Sequence, residues 1–242
     1  VVFRSKEGDF AVRSEAAFYG MGRFSVDALR RLSAKGLVAY VSTKRGSAVL
    51  LPRERSPYEI QRAQILLYLD EGRRRELAAS IIRASSLNKL WLLELLEIPK
   101  REREEARSAI QDLLSQLDEA GEDLLGYEAN IARVYYEKLK LVVPEEYGFE
   151  ARTRRPPKDP VSACISFGNM MLYRLLRDLL MRHGLDPRIG NLHKPFRARP
   201  SLALDIAEEF RQPVVEAAVA ALFTSKSFAE GKHFEKRRGE VM

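Results

Sequence analysis

The spacing of apolar residues changes once along the 242-residue chain. Up to residue 53 the apolar residues form short alternating runs, typical of strands, around one helical stretch, SVDALRRLSAKG. Beyond residue 57 they recur every three or four residues, as on one face of a helix. The pattern predicts an α+β fold, with a small β-rich N-terminal domain over residues 1–53 and a larger all-α domain over residues 57–242.

Prolines, glycines and charged connectors divide the second part into six predicted helices. Asp159 and Pro160 supply a cap and a first turn for one of them. The predicted helices span roughly 57–70, 72–97, 100–119, 122–141, 160–183 and 201–227.

The chain is basic. Lysine and arginine outnumber aspartate and glutamate by 41 to 34, which gives a net charge of +7. Such a balance favours a polyanionic partner, because neutralised phosphates release counterions. The surface ion-pair networks of thermophilic proteins produce a similar composition, so charge alone leaves both interpretations open.

The single cysteine, Cys164, excludes an intramolecular disulfide and a cysteine-based zinc site, as expected in a reducing compartment. No run of about 18 apolar residues occurs, so no membrane span is predicted. The first ten residues also lack an apolar signal core. These features predict a cytoplasmic protein without a membrane partner.

One carboxylate interrupts an apolar stripe. In LLGYEANIARVYYEKL, Glu128 shares the helical spacing of Leu124, Ile131, Ala132 and Tyr135. A carboxylate on an apolar face must be paired, neutralised or bound to a metal. A salt bridge to one of the many arginines is the structural alternative.

Two further acidic residues lie one turn apart in PSLALDIAEEFRQPVVEAAVAALF. Asp205 and Glu208 can converge on a common point, although this pattern is often only surface charge. Pro213 is expected to kink this helix just after Arg211.

His193 lies in the glycine- and proline-rich segment GLDPRIGNLHKPFRARPS, beside Lys194, Arg197 and Arg199. One imidazole together with two or three carboxylates suits Mg²⁺ or Mn²⁺, and nearby cations would hold a phosphodiester against the ion. A lone loop histidine without such a role is the common alternative.

The connector ARTRRPPKDP is basic and proline-rich. It contains four cations, Arg152, Arg154, Arg155 and Lys158. These could bind a phosphate backbone, or the prolines could simply hold the segment extended.

Taken in order, these segments resemble the CRISPR-associated integrase family, CRISPR-associated protein 1, which inserts new spacers into CRISPR arrays. The resemblance rests on GYEANIARVYY, RRPPKDPVSACISFGNMMLYRLL, and GLDPRIGNLHKPF followed by PSLALDIAEEFRQPVVE. QRAQILLYLDEGRRRELAASIIRASSLNK adds a weaker match. The combination of GLDP, an IG-x-x-H step and D-x-x-E-x-FR is specific, whereas each piece alone is not.

The resemblance implies that Glu128, His193 and Glu208 are the catalytic metal ligands, with Asp205 as an additional ligand or a partner of one. The implied reaction is transesterification, in which a 3′-hydroxyl of spacer DNA attacks a phosphodiester at the repeat boundary. Hydrolytic nicking is the same reaction with water. Phosphate contacts are expected from Lys194, Arg197, Arg199, Arg211 and the basic connector, although Arg211 could instead pair with Glu208 or Glu209.

By the same resemblance, the protein would bind double-stranded DNA, form a homodimer through its β-rich domains, and join a second CRISPR adaptation protein. The chain departs from the family pattern in four places. Ala129 stands where glycine is usual, Ser162 replaces asparagine, Asn169 replaces tyrosine, and a lysine usual near Ser85 or Ser86 is absent.

Two other functions compete with an integrase and endonuclease. A non-catalytic DNA-binding scaffold on the same fold would have no reason to keep Glu128, His193 and Glu208 together, and a helical regulator binding a small ligand would need no metal. A Gly-rich phosphate loop, a G-x-S-x-G elbow and an H-E-x-x-H helix are all absent from the sequence, which argues against an ATPase or a serine hydrolase.

Overall fold

A computed structural model of the chain shows a predominantly helical protein. It describes residues 2–5, 8–11, 15–19, 26–34, 38–43, 46–50, 58–117, 123–225, 236–237 and 240–241.

The first fifty residues contribute short strands and one helix. The elements are β1 (Val2–Ser5), β2 (Gly8–Ala11), β3 (Glu15–Tyr19), α1 (Val26–Ala34), β4 (Val38–Thr43) and β5 (Gly46–Leu50). Strands β1 and β2 pair antiparallel. Strand β3 pairs parallel with β4 across helix α1, and β5 pairs antiparallel with β4.

The predicted fold class, α+β with a β-rich N-terminal domain, is wrong for the part of the chain that the structure describes. The strands are four to six residues long and form a separate pair and a three-stranded sheet. The buried side chains that the structure describes belong to helices and their connections. Alternation signals a strand locally, but a β domain also needs a sheet with a buried face. The boundary near Pro52 to Pro57 lies outside the described residues, and the division into two domains stays a prediction.

Helices make up most of residues 58–225. None of those described is long and apolar enough to cross a bilayer. A two-residue ladder, β6 (Lys236–Arg237) with β7 (Glu240–Val241), follows them, so the expected all-α part is not purely helical. The helices are α2 (Tyr58–Leu69), α3 (Glu71–Leu95), α4 (Lys100–Ser115), α5 (Leu124–Leu139), α6 (Pro160–Arg182), α7 (Ser201–Phe210) and α8 (Ala217–Thr224).

Local chemistry explains two helix boundaries near the site. The Asp159 carboxylate accepts a hydrogen bond from the Ser162 amide at 2.7 Å, and Pro160 fills the first turn, which confirms the predicted start of α6. Between α7 and α8 the chain widens into a π-helical segment, Arg211–Glu216. Pro213 has no N–H and its ring clashes with the preceding turn, so the predicted kink takes the form of this wider turn.

Two apolar clusters hold the helices together. The larger joins α3, α5, α6, α7 and α8 around Tyr135, Ile165 and Phe223, and the smaller joins α3, α4 and α5 around Ile82, Ile110 and Ile131. Helices α3 and α5 contribute to both clusters. Polar residues on these two helices are therefore held in fixed positions by the packing.

Replacing Phe223 by alanine should lower the free energy of unfolding by about 3 to 5 kcal/mol. Its ring is fully buried and packs edge-on against Tyr147 at 4.6 Å between ring centres. Urea unfolding measures the loss, and Leu222→Ala, at a side chain that is 39% exposed on the same helix, is the control. Equal losses in the two variants would contradict the packing described.

Candidate metal site and its basic surroundings

The Asp205 carboxylate is fully buried on α7 and organises the loop that carries His193. Its Oδ2 accepts from the amides of Asn191 and Leu192, the latter at 3.0 Å. Its Oδ1 accepts from the His193 amide at 2.9 Å and lies 2.8 Å from His193 Nδ1. When Nδ1 carries the proton and donates a hydrogen bond to Asp205, Nε2 has a free lone pair that can bind an ion.

The loop before His193 is tied to the helices on both sides. The Gln64 side chain, on α2, accepts from the Asp186 amide at 2.9 Å and donates to the Asp186 carbonyl at 2.8 Å. A Cβ on Gly190 would lie 2.6 Å from the His193 carbonyl oxygen and 2.7 Å from the Ser201 carbonyl carbon. The chain therefore passes closely enough here that glycine is required, and Gln64 holds the loop to α2.

Glu208 is buried, one turn after Asp205. Its Oε1 lies 2.5 Å from Arg211 Nη1, and the Arg211 Nη2 donates to the Tyr173 hydroxyl at 2.6 Å. The second oxygen of the carboxylate, Oε2, is buried without a hydrogen-bond partner among the described residues. Burial raises the pKa of Glu208. The Arg211 guanidinium lowers this pKa, and the nearby Glu128 carboxylate raises it further.

Arg211 is thus committed to a nearly buried ion pair rather than to solvent. Neighbouring Glu208 raises its pKa, although burial alone would lower it. Of the two roles that the sequence left open for Arg211, the geometry favours the pair with Glu208 over contact with phosphate.

Glu128 is half-buried on α5 and opens onto a cavity of about 570 Å³. Tyr136, Arg152 and Arg154 line the same cavity. Glu128 and Glu208 interact electrostatically.

A buried lysine that was not among the predicted site residues lies near these carboxylates. Lys89 on α3 is buried, its ammonium donates to Ser85 Oγ at 2.5 Å, and it interacts electrostatically with Glu208, Glu128 and Glu216. Ser85, Lys89, Leu92 and Leu93 follow the spacing of one helical stripe, the same signal that identified Glu128.

In the described part of the chain, no three His, Cys, Asp or Glu side chains stand close enough together to hold a metal ion. The donors nevertheless suit one. Glu208 presents a buried oxygen without a partner, Glu128 presents a carboxylate at a cavity, and Asp205 can orient His193 as such a ligand requires. Asp205 itself uses both oxygens in hydrogen bonds to the loop, which favours the role of partner to a ligand.

Arginines and lysines border the site on two sides. Arg152 and Arg154 line the cavity of Glu128, and Arg152 donates to Ser166 Oγ at 2.8 Å. Lys194 and Arg199 line a second cavity, of about 400 Å³, together with Arg74 and Arg75. The other basic residues expected to contact phosphate, Arg155, Lys158 and Arg197, are exposed, with Arg197 stacked on Phe196.

Three departures from the family pattern are accommodated differently. Ser162 is buried and its Oγ accepts from the Thr153 amide at 3.1 Å, which ties the basic connector to α6. Asn169 is buried with its Oδ1 unpaired among the described residues. Ala129 lines the cavity of Glu128, where a methyl group has room.

A buried carboxylate and histidine cluster beside arginine-lined cavities is the kind of site found in proteins that act on phosphodiesters. The model of the family described as CRISPR associated protein Cas1 matches residues 13–242. The chain belongs to this family.

Named relatives support the assignment. The CRISPR-associated endonuclease Cas1 of Methanothermobacter thermautotrophicus is 32% identical over 86% of this chain, and that of Fusobacterium nucleatum is 32% identical over 74%. The matched segments span 62% and 55% of those two relatives. A solved Cas1 structure from Thermotoga maritima is 27% identical and superposes with a TM-score of 0.73 over all of this chain and 79% of its own. A casposase bound to integration product, 24% identical with a TM-score of 0.71, shares the fold over 98% of this chain and 70% of its own.

Gly190→Ala should destabilise the protein by about 1 to 3 kcal/mol, because the added methyl group meets backbone atoms that cannot move aside cheaply. Thermal unfolding measures the loss. Gly72→Ala, where the nearest atom would be 3.5 Å away, should leave the unfolding temperature unchanged or raise it. An unaffected Gly190→Ala variant would mean that the His193 loop is not held as described.

Proposed function

We propose that this chain is a metal-dependent DNA endonuclease and integrase, which joins spacer DNA to a CRISPR array. Membership of the Cas1 family supports the class of reaction. The observation that carries the proposal is the buried Glu208 Oε2, which lacks a partner among the described residues and lies electrostatically close to Glu128 and His193. A buried carboxylate oxygen without a partner is costly unless a cation completes it.

Glu128, Glu208 and His193 are the proposed ligands of Mg²⁺ or Mn²⁺. When bound, the ion would polarise a phosphoryl oxygen and stabilise charge on the leaving oxygen. Asp205 is proposed to set the His193 tautomer and ring orientation. Arg211 holds the other Glu208 oxygen, so the carboxylate is limited to a narrow range of orientations.

In the proposed reaction, the 3′-oxygen of one DNA end forms a new bond to phosphorus while the bond from that phosphorus to the target strand's 3′-oxygen breaks. The attacking hydroxyl loses its proton, and the departing 3′-oxygen gains one and leaves as a hydroxyl. One phosphodiester replaces another, so no external energy source is required. With water in place of the 3′-hydroxyl, the same site nicks DNA.

Double-stranded DNA is the proposed substrate, and the two basic cavities are its proposed contacts. Arg152 and Arg154 would bind phosphates beside Glu128, and Lys194 and Arg199 would bind phosphates beside His193. Arg155, Lys158 and Arg197 would extend this surface. Solved neighbours include a Cas1 bound to DNA and a complex of Cas1 with Cas2, both under 25% identical to this chain. A homodimer and a second CRISPR adaptation protein are the proposed partners.

One observation favours a non-catalytic DNA-binding scaffold instead. In this structure Glu208 pairs with Arg211, and no group of three metal-ligating side chains is assembled within the described ranges. Under that alternative, the basic cavities bind DNA and the carboxylates merely balance buried cations.

The proposed function is tested by strand transfer of a 3′-hydroxyl DNA duplex into supercoiled plasmid with Mn²⁺. His193→Asn, Glu128→Gln and Glu208→Gln should each lower joining and nicking by about a hundredfold or more, because each removes a proposed ligand of the ion that stabilises charge on the reacting phosphate. Glu137→Gln, an exposed glutamate lining the same cavity as Glu128, should keep wild-type activity. An intact plasmid with wild-type protein that still binds DNA would establish the scaffold instead.

Asp205→Asn should weaken Mn²⁺ binding by about 10- to 100-fold, because it removes an acceptor that orients His193. Titration of Mn²⁺ followed by electron paramagnetic resonance measures the change. Unfolding temperature should be recorded in parallel, since Asp205 also anchors the loop. If a folded Asp205→Asn variant bound Mn²⁺ with wild-type affinity, Asp205 would have no part in metal binding.

A further inference from the structure

Lys89 and Glu216 are buried charges for which the proposed reaction has no direct use. Each is at most 2% exposed, and neither lines the cavities that border the site. Lys89 has one hydrogen bond among the described residues, to Ser85. Glu216 accepts from the Tyr136 hydroxyl at 2.8 Å through Oε1, and its Oε2 has no partner in the described part of the chain.

Both charges are placed near the proposed ligands by neighbouring hydrogen bonds. Asn88, the residue before Lys89, donates to the carbonyl of Glu209, the residue after Glu208, at 2.7 Å. Tyr136, which donates to Glu216, lines the same cavity as Glu128. Lys89 interacts electrostatically with Glu208 and Glu128 as well as with Glu216. Burial lowers the pKa of Lys89, and the three carboxylates oppose that effect. Contacts between α3 and α7, and between α3 and the π-helical segment, fix these positions. The charges are therefore set by packing rather than by mobile side chains.

Lys89 and Glu216 would act on a bound cation in opposite directions, because like charges repel and opposite charges attract.

We infer that Lys89 and Glu216 are opposed positioning charges that set how tightly the Glu128, His193 and Glu208 site holds its divalent ion. Lys89 repels the ion and weakens its binding, whereas Glu216 attracts it and strengthens its binding. Both residues act on the ion at a distance rather than as ligands. The inference rests on the proposed function and adds what determines the affinity of the site.

Mn²⁺ binding to the full chain, measured by electron paramagnetic resonance without DNA, tests the inference. Lys89→Met should tighten binding by about tenfold or more, because it removes a repulsive charge. Glu216→Gln should weaken it by about tenfold, because it removes an attractive one. The double variant should return to within a few-fold of wild type, and Lys89→Arg should match wild type.

A merely structural role predicts a different pattern. If Lys89 and Glu216 only support packing, both single variants weaken Mn²⁺ binding and the double variant weakens it further, which would overturn the inference. Lys100→Met, the same change at an exposed lysine, is the control and should leave the affinity unchanged. Should Lys89→Met fail to fold, Glu216→Gln decides alone, and unchanged or tighter binding overturns the inference.

Failure of the inference and failure of the proposed function give different results. If the folded wild-type protein binds no Mn²⁺, the proposed metal site is wrong, and the inference falls with it. If wild type binds Mn²⁺ and Glu208→Gln abolishes binding, but Lys89→Met does not tighten it, the metal site stands and only the inference is overturned.

Discussion

Burial of the Glu208 carboxylate is the constraint on which the rest of the site depends. The apolar packing of α3, α5, α6 and α7 removes this group from water, and a carboxylate in that position needs positive charge beside it. Arg211 supplies part of that charge from the next turn and Lys89 supplies part from α3. One oxygen still lacks a partner in the described structure, and it is the atom on which the proposed metal site rests.

The backbone around this carboxylate is shaped by two irregularities. Pro213 widens the helix after α7 into a π turn, which carries Arg211 and Glu216 at its two ends. On the other side, the His193 loop has little regular structure of its own and is held by Asp205, Gln64 and the close approach at Gly190. Rigid helices thus supply the carboxylates, and a loop tied at several points supplies the imidazole.

Several predictions from sequence are confirmed, and one is wrong. The family resemblance, the cap and first turn of α6 and the distortion after Arg211 all hold. The α+β fold class does not, because short alternating segments are a local signal and the described part of the chain buries its apolar side chains among helices. The choice of metal ligands stays a prediction, supported by the closeness of Glu128, Glu208 and His193.

The sequence by itself identified charged side chains at helical positions where the spacing of their neighbours predicts apolar ones. Helical spacing identifies Glu128 because a buried charge interrupts a stripe, and the same spacing identifies Lys89 once it is applied to α3. Only the tertiary structure decided the partners of these groups. Both oxygens of Asp205 accept hydrogen bonds from the His193 loop, and Glu208 interacts with Arg211 and Lys89. Most of these contacts join segments that are far apart in the chain. Local periodicity carries no information about such distances, because they are set by how the helices pack.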